Sequence, residues 1–170
     1  APTKRLQYRA LGALNALLTV DDCLDELATL RDITSHGGPI ATIFSLASRK
    51  DCERYVALAL GRLAAYKRRD LRPAIVRGDE RLVDASCAYT SLDQHMPGLH
   101  VLIQYARYAP QSNQPQKLKT KNFATQALVE LARNREVAAA IAAKDFVFPE
   151  HVANEKKFLP REFEASLLSP

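Results

Sequence analysis

Four histidines, His36, His95, His100 and His151, are the side chains of this 170-residue chain best suited to metal ligation or proton transfer. None of them makes a His-Glu-x-x-His pair. His95 and His100 lie five residues apart, but Pro97-Gly98 between them breaks the helix that would have to carry both on one face. His36 stands beside Gly37-Gly38 with no acid or second histidine in its segment, and reads as a capping or loop histidine. Carboxylate pairs such as Asp21-Asp22 and Asp25-Glu26 are adjacent, and read as an exposed acidic face rather than an acid and a base held across a cleft. Ser48, Ser86 and Ser91 have no nucleophile elbow around them. Gly37-Gly38 lacks the spaced glycines that cradle a nucleotide phosphate. Cys23, Cys52 and Cys87 are odd in number and form no Cys-x-x-Cys, so they read as buried free thiols of a reducing compartment. These residues together lead to the expectation of a non-enzyme with no catalytic site, no cofactor and no metal.

Charge is the other chemistry present. The chain carries 24 Lys and Arg against 19 Asp and Glu, a net charge of +5. The basic residues bunch at Lys67-Arg68-Arg69, Arg72 and Arg77, and again at Lys117, Lys119 and Lys121. Such an excess suits nucleic acid, anionic lipid heads or an acidic protein surface, and a solvated basic face is its plainest reading. With 47% hydrophobic residues and a mean hydropathy of -0.21, the composition is that of a soluble, folded chain. No run approaches the ~18 apolar residues of a membrane span. No secretory core segment follows Ala1, so an intracellular setting is expected, cytoplasmic or mitochondrial and not secreted.

The elements that must position these groups are read from apolar spacing. Residues 40, 43, 44 and 46, then 56, 59, 60 and 63, follow the helical i, i+3, i+4, i+7 pattern, with residues 48–51 as the turn between two helices. The second helix carries small residues at its turns (Ala57, Ala59, Gly61, Ala64), which lets a neighbouring helix approach closely. The same Ala-Leu-x-x-Leu pattern appears around Leu14 and Leu128. Leu14 and Leu60 are 46 residues apart, inside the ~40–47 residue period of helical repeat arrays, whereas Leu60 and Leu128 are 68 apart. The excess is assigned to an elongated segment at 79–96, including a helix over 80–92, and to a polar loop at 110–119. Pro97-Gly98 opens another helix, and Val137 to Ala143 forms a short one. About nine helices are expected.

A Gly-Gly-x-x start, an aliphatic helix, a polar loop and an A-x-x-A-L-x-x-L-A helix, as at 37–65, resemble the armadillo repeat family. The resemblance implies an all-α, right-handed superhelical stack of armadillo-like repeats, an α-solenoid, irregular in its C-terminal half. Nuclear-import members of that family hold basic peptides with an asparagine at the position occupied here by Ala16, Arg62 and Glu130, so an import groove is not implied. Arg62 in that place suits an acidic or carboxylate-bearing segment instead.

From Asp145 the character changes to Pro-punctuated sequence holding Phe146, Phe148, Phe158 and Phe163. The division expected is a repeat domain over 1–144 and a tail over 145–170 that caps the last unit or docks on a partner. The functional expectation is a non-catalytic protein-protein interaction subunit or adaptor of a larger complex, an accessory subunit of a mitochondrial assembly being one setting. Its candidate partner-binding residues are Arg62, Lys67, Arg68, Arg69, Arg72, Phe146, Phe148, Phe158 and Phe163. The alternative is a helical-repeat RNA binder using basic loops at 67–77 and 117–121.

Overall fold

The computed structural model describes residues 2–29, 38–78 and 96–150. Among them the chain is all-α, with eight helices and no strand: α1 (Pro2–Leu17), α2 (Asp21–Thr29), α3 (Pro39–Ser45), α4 (Glu53–Ala65), α5 (Arg72–Arg77), α6 (Pro97–Ala106), α7 (Pro115–Ala132) and α8 (Arg135–Ala143). The helix expected over 80–92 lies outside the described residues, as do His36, His95, His151, Cys87, Phe158 and Phe163.

Local chemistry sets the boundaries. Pro39, Pro97 and Pro115 each occupy the first helical position, where the missing N–H has no partner to lose and the fixed φ favours the helix. Gly78 ends α5 in the left-handed region at φ 76°, and its N–H caps the carbonyls of Ala74 and Ile75. Asn134 begins α8, its side-chain oxygen accepting from the backbone N–H groups of Glu136 at 3.0 Å and Val137 at 3.2 Å. The polar loop expected through 119 is shorter than the sequence suggests, because α7 already begins at Pro115. Residues 115–119 are all exposed and need no apolar stripe, while Gln, Lys and Leu are strong helix formers. One correction follows for the basic segments: Lys117, Lys119 and Lys121 stand on helix α7 and not in a loop. The basic stretch after Lys67 leads into a short helix from Arg72, as the pattern over 71–78 and its closing glycine suggest.

The core is built around α4. Val56, Ala57, Ala59 and Leu60 are wholly buried, and α4 packs chiefly on α7, with α1, α3, α5 and α6 also against it. The period-3.6 stripe alone would not bury so many positions. Small residues on more than one face allow helices on several sides of α4. Further contacts link α6 to α7, α5 to α6 and α7 to α8 in one contiguous apolar cluster. At the α5–α6 contact a Cβ on Gly98 would run into the Ile75 carbonyl oxygen and lie 2.8 Å from a Phe44 ring atom, so only glycine fits.

After Asp145, at φ 53°, the chain turns back so that Phe146 and Phe148 enter this cluster. Their rings pack edge to face, 5.1 Å between centroids at 86°. Burial of each ring contributes roughly 1.5–3 kcal/mol. The expectation that Phe146 and Phe148 offer surface to a partner is therefore corrected: both rings are buried in the chain's own apolar cluster.

Candidate functional site

Two concavities are lined by residues of both α4 and α7. The larger is a groove of about 840 Å³ along the two helices. Leu58, Gly61, Arg62 and Ala65 line it from α4, at the i, i+3, i+4, i+7 positions of one face. From α7 come Leu118, Lys121, Asn122, Gln126, Val129 and Glu130, and Pro149 closes one end. Gly61 sets the closeness of the walls, since a Cβ there would sit 3.5 Å from the Cβ of Ala127. Leu118 is about half exposed, at 48%. Asn122 and Gln126 are exposed one turn apart on the same face, and neither side chain makes a hydrogen bond among the described residues.

Arg62, the groove residue singled out from the sequence, is only partly available. Its guanidinium donates to the backbone carbonyl of Asn15 near the end of α1, while the rest of the half-buried side chain lines the groove. Asn15 is itself buried, donating from Nδ2 to the carbonyls of Leu11 and Tyr55, both at 3.0 Å, with Oδ1 unpartnered among the described residues. Asn15 thus ties α1 to α4. Glu130 is paired with Arg133 at 3.0 Å, so Arg62 and Lys121 dominate the charge of the groove.

The remaining candidates do not converge here. Arg68 pairs with Asp25, whose other oxygen accepts from the Tyr66 hydroxyl, and Arg72 pairs with Asp70 at 2.7 Å. Lys67 and Arg69 are exposed in the turn between α4 and α5. His100 is exposed on α6, its Nε2 3.0 Å from Nε2 of Gln104. Cys52 is buried at the start of α4, where burial pushes its thiol up, and Cys23 is half-buried.

The second concavity is a cleft of about 640 Å³ at the N-terminal ends of α1, α4 and α7. Sequence spacing could not find it, because its residues are brought together only by packing: Lys4, Arg5 and Tyr8 from α1, Lys50, Asp51, Glu53 and Arg54 from the turn into α4, Tyr108, and Gln116, Lys117 and Thr120 from α7. Arg54 donates to the hydroxyls of Tyr8 at 2.6 Å and Tyr55 at 3.1 Å and to Oε1 of Gln116, and its guanidinium lies 4.5 Å over the Tyr55 ring. Burial pushes the Glu53 carboxyl above the usual carboxylate range, opposed by the Tyr108 O–H that donates to it at 3.0 Å and by the nearby Lys117 and Lys50 charges. Burial and the Glu53 charge push Tyr108 up to about 12. Asp51 is held below the ordinary range by the Arg49 guanidinium, 2.6 Å away.

A scan against protein-family models finds no matching family, and neither curated proteins nor solved structures give a match. No helix among the described residues is long and apolar enough to cross a membrane.

Proposed function

We propose that the chain is a non-catalytic protein-interaction subunit that holds an extended, carboxylate-bearing segment of a partner protein in the groove between α4 and α7. In this reading α1, α4 and α7 are successive inner helices of an armadillo-like stack over 1–144, and 145–170 is its capping tail. Burial of Phe146 and Phe148 supports the capping role of the tail's first residues. A mitochondrial assembly remains one setting for such a subunit.

The observation that carries the proposal is the pair of carboxamides, Asn122 and Gln126, that make no hydrogen bond to a described residue, beside the cations Arg62 and Lys121 and the exposed Leu118. Each carboxamide offers both donors and an acceptor, the complement of a peptide group. Residues four apart on a helix are ~6 Å apart along the axis, close to the ~6.6 Å spanned by two residues of extended chain. The pair can therefore bond alternate peptide groups while Leu118 contacts an apolar side chain and the cations take carboxylates. The local neutralisation of Arg68 and Arg72 by Asp25 and Asp70 favours this reading over RNA binding through 67–77.

The test is co-purification with the tagged full chain, comparing wild type with N122A/Q126A, whose positions are exposed and whose melting should match wild type within about 0.5 kcal/mol. The double variant should recover the wild-type partner at least roughly tenfold less, the loss of two or more hydrogen bonds at an interface. Equal recovery by a normally folded double variant removes the groove as the docking site.

A further inference from the structure

The cleft at the N-terminal ends of α1, α4 and α7 gathers five cations, Lys4, Arg5, Lys50, Arg54 and Lys117, from three separate segments of the chain. None of the five makes an ion pair with a described residue. Of the two carboxylates in the lining, Asp51 is held by Arg49, while Glu53 accepts from the Tyr108 hydroxyl and lies near the Lys50 and Lys117 charges, so cations outnumber the carboxylates left to face them. Arg54 is the most constrained of the set. Half-buried, it is held by two phenol oxygens, a carboxamide oxygen and an aromatic face, all neutral, so its orientation is fixed while no described carboxylate pairs with it. Lys117 is similarly steadied over the Tyr108 ring, 5.7 Å from its centroid. Like charges brought together around one concavity repel one another, and a multiply charged anion offsets that repulsion.

The geometry points to a binding site for a clustered polyphosphate group that bridges α1, α4 and α7. A single phosphate is too small to meet cations arriving from three elements around about 640 Å³. An extended acidic peptide spreads its charges at ~3.3 Å per residue and would leave the cleft after two or three of them. Several phosphates on one compact scaffold place their oxygens toward all three walls at once. Arg54 supplies directed donors, and Lys4, Lys50 and Lys117 supply mobile ammonium groups around them. Because such a ligand contacts three helices, it also acts as a staple, stabilising the folded chain in proportion to the logarithm of its concentration above Kd.

The phosphates could belong to a soluble molecule or to a lipid head, and two probes separate these sources. Inositol hexakisphosphate is titrated calorimetrically into the full chain at about 50 mM salt, and phosphatidylcholine vesicles with and without phosphatidylinositol bisphosphate are tested by flotation. Binding of the soluble probe with no vesicle capture assigns a soluble ligand, and capture only by the bisphosphate vesicles assigns a lipid head. Either must weaken at least roughly tenfold in K50Q/K117Q, whose positions are exposed, and stay within about twofold in K67Q, a cation outside the cleft. R54Q should weaken it further, with the folded fraction checked by circular dichroism. Binding of neither probe, or equal weakening by K67Q and K50Q/K117Q, overturns the proposal. This outcome is independent of N122A/Q126A, which alter a different surface.

Discussion

The side of α4 that meets α7 and the side that meets α1 are built differently. Toward α7 the helix offers Gly61 against Ala127, within a cluster where Leu60, Ala127 and Leu128 are wholly buried. Toward α1 the contacts are directional: Asn15 Nδ2 to the Tyr55 carbonyl, Arg62 to the Asn15 carbonyl, Arg54 to the Tyr8 hydroxyl, and the Tyr8 and Tyr55 rings edge to face at 5.2 Å. Apolar burial contributes in proportion to area, whereas each intramolecular hydrogen bond contributes only about 0.5–1.5 kcal/mol net. The first side therefore carries most of the cohesion. The second fixes the position of α1 without holding it strongly, so α1 is the element expected to open first.

Truncating a core leucine on each side gives the largest expected effect. Leu128→Ala, at a wholly buried position, should lower the unfolding free energy by about 3–5 kcal/mol, and Leu11→Ala on α1 by only about 2–3 kcal/mol, because the neighbourhood of α1 can collapse more readily into the space. Urea melts of the two variants make the comparison. If Leu11→Ala costs as much as Leu128→Ala, the two sides are not different in kind.

Removing a polar tie sharpens the contrast. Asn15→Ala deletes both donor bonds and the orphan Oδ1 together, and should cost about 1–2 kcal/mol. The more telling readout is where the cost falls. Amide hydrogen exchange should accelerate along α1 while α7 stays protected, and uniform acceleration over both helices would mean that α1 opens only with the whole chain.

The run from Arg54 to Ala65 shows what was legible in advance. Its apolar spacing and small residues gave a helix with close neighbours, and a helix in that place packs on several sides. Pro39 and Pro97 likewise marked helix starts correctly, because proline at the first position is a local effect. Pro115 did not, since the first turns of α7 carry no apolar stripe and a polar sequence beside prolines looks like a loop. Arg62 was read as a groove residue from its place in the repeat pattern; its bond to Asn15 depends on a partner 47 residues away and has no local signature. The cleft was invisible for the same reason, its lining coming from 4–8, 50–54 and 108–120. Phe146 and Phe148 could be read either as capping the last unit or as anchors for a partner, because nothing local reveals the turn at Asp145 that precedes their burial.

The smallest expected effect has the most informative sign. Glycine inside a helix is about 0.5–1 kcal/mol less favourable than alanine, and a methyl on Gly61 would meet Ala127 at 3.5–3.7 Å, an ordinary contact distance. Gly61→Ala should therefore stabilise the chain by up to about 1 kcal/mol, read as a higher urea midpoint at unchanged slope. Gly61→Leu should reverse the sign and cost about 1–3 kcal/mol, since the larger side chain must push α7 away. A loss with alanine already would mean that the α4–α7 face tolerates no added atom. Because Gly61 also forms the groove wall, the alanine variant keeps that wall closed, and partner recovery with it should stay within about twofold of wild type while Gly61→Leu loses it.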